Sequence, residues 1–236
     1  MADRFEKYYE KSWMKCRPGD STGNSQESVV FGALRLARIA PDATGTIVLV
    51  EGISDQAAID TLAKRFGRDL EKEDITTVPI GGATKIWPFL EVLGPRMTKV
   101  KLAGLYDIGE ERHFRRALER AGFGAKLTRA DMESLGFYVC AADLEDELIR
   151  SLGAEMALAV VAAHGDLWKF HIFQRQPEWC NRDLAAQLRR WLGTTARRKQ
   201  AYAKLLVNAL DMNRVPEPLE RLLAYVLNRS GAVDES

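Results

Sequence analysis

The chain has 236 residues, 46% of them hydrophobic and 28% charged, a balance that sets it among ordinary globular proteins rather than disordered or collagen-like chains. At this length folding buries roughly 70% of the surface that the unfolded chain exposes, so the core needs no disulfide or structural metal. With 34 Lys+Arg against 33 Asp+Glu, the net charge of +1 argues against nucleic-acid binding through general basicity.

The charge is unevenly placed. Residues 131 to 149 carry six acids (Asp131, Glu133, Asp143, Glu145, Asp146, Glu147) and no base, whereas residues 187 to 204 carry six bases (Arg189, Arg190, Arg197, Arg198, Lys199, Lys204) and no acid. Three cysteines, Cys16, Cys140 and Cys180, form no CxxC pair and suit a reducing compartment. The charged start MADRFEKYYEKSWMKC does not read as a signal peptide, and no run of about 18 apolar residues occurs. A cytoplasmic protein with no membrane partner is the expectation.

In chain order, residues 1–43 read as a short helical N-terminal segment and a linker, with the polar stretch RPGDSTGNSQES as a loop and residues 29–39 as a helix. TIVLV (Thr46 to Val50) is wholly apolar and β-branched, the pattern of a strand buried on both faces, and a helix follows with Ile59, Leu62 and Ala63 inward. TTVPI (Thr76 to Ile80) predicts a second strand, ending in Gly81-Gly82 before a helix through Ile86, Phe89, Leu90 and Leu93. VKLAGLY (Val100 to Tyr106) predicts a third strand, running into Asp107 and then a helix with Phe114, Ala117, Leu118 and Ala121, stopped at Gly122. FYVCA (Phe137 to Ala141) predicts a fourth.

Alternating strands and helices imply right-handed crossovers and a mainly parallel sheet, an α/β domain over residues 44–150. Beyond Asp143 the helical period takes over. Leu184, Leu188, Trp191 and Leu192 form one apolar stripe, and Leu219, Leu222, Leu223, Val226 and Leu227 another, so residues 151–236 read as a helical extension packed on the sheet.

In such a sheet, ligands bind beyond the carboxyl ends of the strands. Three of the four predicted strands end in acids there: Glu51 with Asp55 a turn later, Asp107 with Glu110, and Asp143 with Glu145 and Asp146. A single acid at such a position is as well explained as a helix cap or a complement to the helix dipole. Three strand ends carrying acids favour a metal site, since gathered carboxylates repel unless a cation neutralises them. Hard oxygen ligands without neighbouring His or Cys select Mg²⁺ or Mn²⁺. Asp146 and Glu147 read as a solvated helix face; His113, His164 and His171 as surface or packing residues; Cys140 as a small core residue; and Trp168, Phe170 and Phe173 as core.

The run LVEGISDQAAIDTLAKRF, then TTVPIGGATKIWPFL, then KLAGLYDIGEE resembles the TOPRIM domain of OLD-family nucleases, and ADLEDELI resembles the acidic element that closes the metal site in that family. The likeness covers roughly residues 45 to 150. It implies a Rossmann-like TOPRIM fold and divalent-metal-dependent cleavage of DNA, with one or two ions, in DNA repair or defence against phage. Carried over residue by residue, it makes Glu51, Asp107 and Lys199 catalytic, and Glu51, Asp55, Asp107, Glu110, Asp143 and Glu145 the metal ligands. Lys199 enters because the family carries a lysine on a helix after its acidic elements.

One departure stands out: where TOPRIM domains commonly read Asp-x-Asp, the second position here is Gly109, and Glu110 would take its role through an Asp-x-x-Asp spacing. Lys85, Arg189, Arg190, Arg197, Arg198 and Lys204 are the candidate phosphate contacts. No P-loop is present, since GGATK lacks the four residues needed between its glycines. OLD-family proteins usually join an ATPase to this domain, so a separate ATPase subunit is an expected partner beside DNA, and a homodimer stays open. Another phosphoryl-transfer activity, primase or RNA maturase, and a silent TOPRIM that only binds are the alternatives.

Overall fold

The computed structural model describes residues 45–94 and 100–228. The linker and the helix expected over 29–39 lie outside the described residues. Four strands, β1 (Thr46–Val50), β2 (Ile75–Pro79), β3 (Lys101–Asp107) and β4 (Phe137–Cys140), form one parallel sheet in the order β2-β1-β3-β4. Each lies within one residue of its expected position. The order reverses between β1 and β3, so the loops leaving these strands diverge to opposite faces and leave a crevice at their carboxyl ends.

Alternation along the strands separates two cores. Val48, Val50, Ala103, Leu105, Tyr138 and Cys140 point to one face, whereas Ile47, Leu49, Val78, Leu102, Tyr106 and Phe137 point to the other. The second face is covered by α2 (Ile86–Leu93), α3 (Glu111–Ala121) and the short α4 (Arg129–Ser134). The first is covered by α1 (Ile53–Arg65) and by a helical layer: α5 (Leu144–Leu152), α6 (Ala154–Ala163), α7 (Leu167–Gln174), α8 (Leu184–Leu192), α9 (Ala196–Ala209) and α10 (Glu217–Leu227). Leu188, Trp191, Leu192, Leu219, Leu222, Leu223 and Val226 are all buried, as their spacing requires.

Two backbone features fix the geometry near the crevice. Gly81 and Gly82 have φ of 76° and 111°, which side chains other than hydrogen rarely allow, and both N–H groups donate to the Glu51 carbonyl at 3.0 Å. Gly104 sits where a β-carbon would lie 2.7 Å from the Phe137 ring and 3.0 Å from the Leu49 carbonyl, so β1, β3 and β4 close over a missing side chain.

Two side chains lie otherwise than their sequence pattern suggests. Glu147 is not on a solvated face: it is 5% exposed and accepts the Ala141 N–H at 2.6 Å, because α5 turns that side toward the end of β4. Phe170 and Phe173 are core, but Trp168 is 61% exposed, since α7 has only one inward stripe. Among the described residues, no helix is long and apolar enough to cross a membrane.

Candidate functional site at the carboxyl edge of the sheet

Glu51 is the first residue beyond β1 and Asp107 the last of the adjoining β3, so parallel pairing alone brings them together. The two glycines hold the Glu51 backbone, and its carboxylate Oε1 accepts the Asp107 N–H at 3.1 Å. Asp55, one turn into α1, accepts the Gly52 N–H through Oδ2 at 2.7 Å, which is also a helix-start contact. Asp143 caps α5 through the Asp146 N–H at 2.8 Å and gives its other oxygen to the Arg189 guanidinium at 2.8 Å. Glu145, only 4% exposed, meets the Lys199 ammonium at 3.0 Å. Its Oε1 is buried and has no hydrogen-bond partner.

Lys199 arrives from α9, whose start is set by Thr195 accepting the Arg198 N–H at 3.2 Å. The helix is held against α1 by Arg65, whose guanidinium donates to the Val207 and Leu210 carbonyls, both at 2.7 Å.

The electrostatics show crowding of like charge. Burial pushes Asp107 up to about 8, with Glu51, Asp55 and Asp143 adding to it and Lys199 opposing. Burial likewise lifts Asp55 to about 6, against the Gly52 N–H and Lys199. Glu51 is raised by burial and by Glu110, against the Asp107 N–H and Lys199. Glu145 is raised by burial, with Lys199 opposing and Asp143 and Asp55 adding. For Lys199, burial pulls the ammonium down, but Glu145, Asp55 and Asp143 outweigh it and raise the value, so the group is a permanent cation.

The remaining candidates are more scattered. Glu110 contacts His113 at 2.8 Å, and Gly109 is exposed with nothing near it. Among the described residues, no group of three or more His, Cys, Asp or Glu side chains stands in a metal-holding arrangement. The carboxylates share an electrostatic neighbourhood but are turned to amide, lysine, arginine and histidine partners. The donor set nevertheless fits a hard divalent cation: all its atoms are oxygens, one carboxylate oxygen is buried without a partner, and one lysine leaves Asp107 and Asp55 raised.

The basic run of 187 to 204 divides. Arg189 is paired with Asp143, and Arg198 stacks 4.1 Å from the Trp191 ring and donates to the Trp191 carbonyl at 3.0 Å, so both have partners within the fold. Arg190, Arg197 and Lys204 are exposed, as is Lys85 beside the glycine loop. A groove of about 530 Å³ opens beside the acids, lined by Asp143, Trp179, Arg182, Arg189, Arg190 and Lys199. Trp179 and Arg182 were not anticipated: they belong to the irregular segment before α8, where no periodicity marks a face.

A four-stranded parallel sheet flanked by helices, with acids at its carboxyl edge and a glycine pair bracing the first of them, is a fold of the TOPRIM type. Residues 45–108 match the model of the TOPRIM domain of overcoming-lysogenization-defect-like proteins, and this segment is an OLD-like TOPRIM domain, a type found in nucleases and phosphoryl-transfer enzymes. The fold is shared with the C-terminal region of the Burkholderia pseudomallei OLD protein: 18% identity, TM-score 0.57, covering 78% of this chain and 97% of that one. It is likewise shared with the C-terminal region of the Xanthomonas campestris pv. campestris OLD protein, at 21% identity and TM-score 0.59 over 78% of this chain and 92% of that one. No curated protein matches the chain significantly.

Proposed function

We propose that the chain hydrolyses DNA phosphodiester bonds with Mg²⁺ or Mn²⁺. The observation that carries this reading is the Glu145–Lys199 contact at 3.0 Å, buried beside raised carboxylates and leaving one glutamate oxygen unpartnered. A buried carboxylate with one oxygen unpartnered costs stability, and apolar residues of similar volume would serve a purely structural contact between α5 and α9 as well or better. Glu51, Asp107 and Glu145, with Asp55 behind them, would hold the cation. Bound there, it would supply an activated water and neutralise charge on the phosphoryl group.

The residues themselves have separable tasks. Glu51 is aimed across the crevice by the Asp107 N–H and by the two glycine amides on its own carbonyl. Lys199, always protonated, is suited to a non-bridging phosphate oxygen and unsuited to act as a general base. Arg182 and Arg190 in the adjoining groove offer contacts to neighbouring phosphates. Asp143, with one oxygen capping α5 and the other on Arg189, acts through structure.

The test is nicking of supercoiled plasmid by the purified chain in Mg²⁺ and in Mn²⁺. Glu51→Ala and Asp107→Asn abolish it, Lys199→Ala lowers the rate by about 10²–10³, and Asp143→Asn leaves it within a few-fold. Nicking that survives Glu51→Ala excludes this site as its origin. A second reading, binding without cleavage, is favoured by one feature, the glycine at position 109 among acids that do not converge; DNA retained on a shift gel with no nicking in either metal supports it.

A further inference from the structure

A second basic surface lies on the other face of the sheet. From Arg112 to Arg129 the chain carries six bases (Arg112, Arg115, Arg116, Arg120, Lys126, Arg129) and a single acid, Glu119. After α3 the chain folds back along the helix: Leu127 donates its N–H to Glu119 at 2.9 Å, and Arg129 reaches Glu111 with Nε at 3.0 Å. The returning segment therefore runs antiparallel to α3, toward Glu110 and the acidic edge.

Between helix and segment is a groove of about 660 Å³ lined by Arg112, Arg115, Arg116, Lys126 and Thr128, with Glu119 at its side. Of the nearby acids, Glu111 is neutralised by arginines, whereas Glu119 keeps its charge at the groove's side. Both oxygens of Glu111 are taken by Arg115 and Arg129, and Glu119 holds the Leu127 N–H. Arg112, Arg116 and Lys126 are exposed and, among the described residues, pair with no carboxylate. Arg115 Nε is buried without a partner, and so is the Tyr106 hydroxyl within electrostatic reach of Arg115 and Arg129. Lys126 is held at φ 56°, an uncommon conformation for a residue with a side chain.

We infer that this groove is a second phosphate-backbone site for nucleic acid, so that a duplex lying across the acidic edge is held on both faces of the sheet. The groove of Arg182, Arg190 and Lys199 lies on the α8–α9 side, and the α3 groove on the opposite side. The eight steps from Glu111 to Glu119 rise about 12 Å, which at about 3.4 Å per nucleotide along a strand spans about three phosphates. Arginines and a lysine without base-edge hydrogen-bond partners around them would bind the backbone without sequence preference.

The inference rests on the nucleic-acid reading above but not on cleavage. Its test is the salt dependence of binding to a short duplex, followed by fluorescence anisotropy at fixed Ca²⁺. Three phosphate contacts make the triple variant Arg112→Gln/Arg116→Gln/Lys126→Gln lose about 2.7 from the slope of log K against log salt. Its melting temperature should match the wild type, and Arg112→Lys/Arg116→Lys should keep the slope. An unchanged slope in the triple variant overturns the proposal even if wild-type protein nicks plasmid. A lowered slope sustains it even if no nicking occurs. Failure of the wild type to bind DNA overturns it outright.

Discussion

At the scale of single residues, the acids of the carboxyl edge oppose folding whenever no cation is present. Asp107 ionises near 8 in the fold and near 3.9 in an unfolded chain. A value raised by folding means that the folded state binds its proton more tightly, so this contribution is intact below about pH 4 and declines as pH rises toward 8. In chelator, the melting temperature of the wild type should therefore fall between pH 5 and pH 8. Asp107→Asn, which cannot ionise, should show a smaller fall and a higher melting temperature at pH 8, while under the proposed function it should lose nicking. Equal pH profiles for the two proteins would contradict this crowding of carboxylates. Opposed effects of one substitution on stability and activity are what a site organised for charge, rather than for stability, produces.

Among elements, the deciding contact is the closure of three strands over Gly104. An alanine there places its β-carbon 2.7 Å from the Phe137 ring and 3.0 Å from the Leu49 carbonyl. Neither gives way easily, since Phe137 is wholly buried and in edge contact with Phe114 at 6.4 Å, and Leu49 O belongs to β1. Gly104→Ala should destabilise by about 1–3 kcal/mol, read as a lowered midpoint in urea with an unchanged slope. Because Glu51 and Asp107 lie at the ends of the strands being pushed apart, nicking should fall as well. The sequence offered no sign of this: a glycine within KLAGLYD reads only as a weak point in a strand.

For the whole molecule, the sheet and the helical layer are one body. A single apolar cluster joins Val48, Val50 and Leu105 of the strands to Leu148 of α5, Trp191 of α8, Leu206 of α9 and Leu222 of α10. Residues 45–150 expressed alone would expose that cluster, at about 25 cal/mol for each Å² of apolar surface left in water. The fragment should therefore show no cooperative thermal transition, while the full chain melts as one unit. A cooperative melt of the fragment would show that the helical layer is an appendage instead.

The chain order of strands and helices, the burial of their apolar stripes and the placing of Glu51 and Asp107 at one edge of the sheet follow from the sequence, because period-two and helical patterns are local; that β1 and β3 adjoin, so that the two acids meet, came from the sheet order. The pairing of Lys199 with Glu145 was expected only as a neighbourhood, through resemblance, and its distance came from the docking of α9 on α1. Other outcomes belong to tertiary structure alone. Arg189 and Arg198 look the same in sequence as Arg190 and Arg197, yet the first two are spent on Asp143 and Trp191 and the others face solvent. The groove on α3 is assembled by a segment that doubles back on its helix, so that bases separated by up to 14 positions, from Arg112 to Lys126, share one surface. A charge in a sequence states only what a residue carries; which partner neutralises it is decided by distances that exist only once the chain has folded.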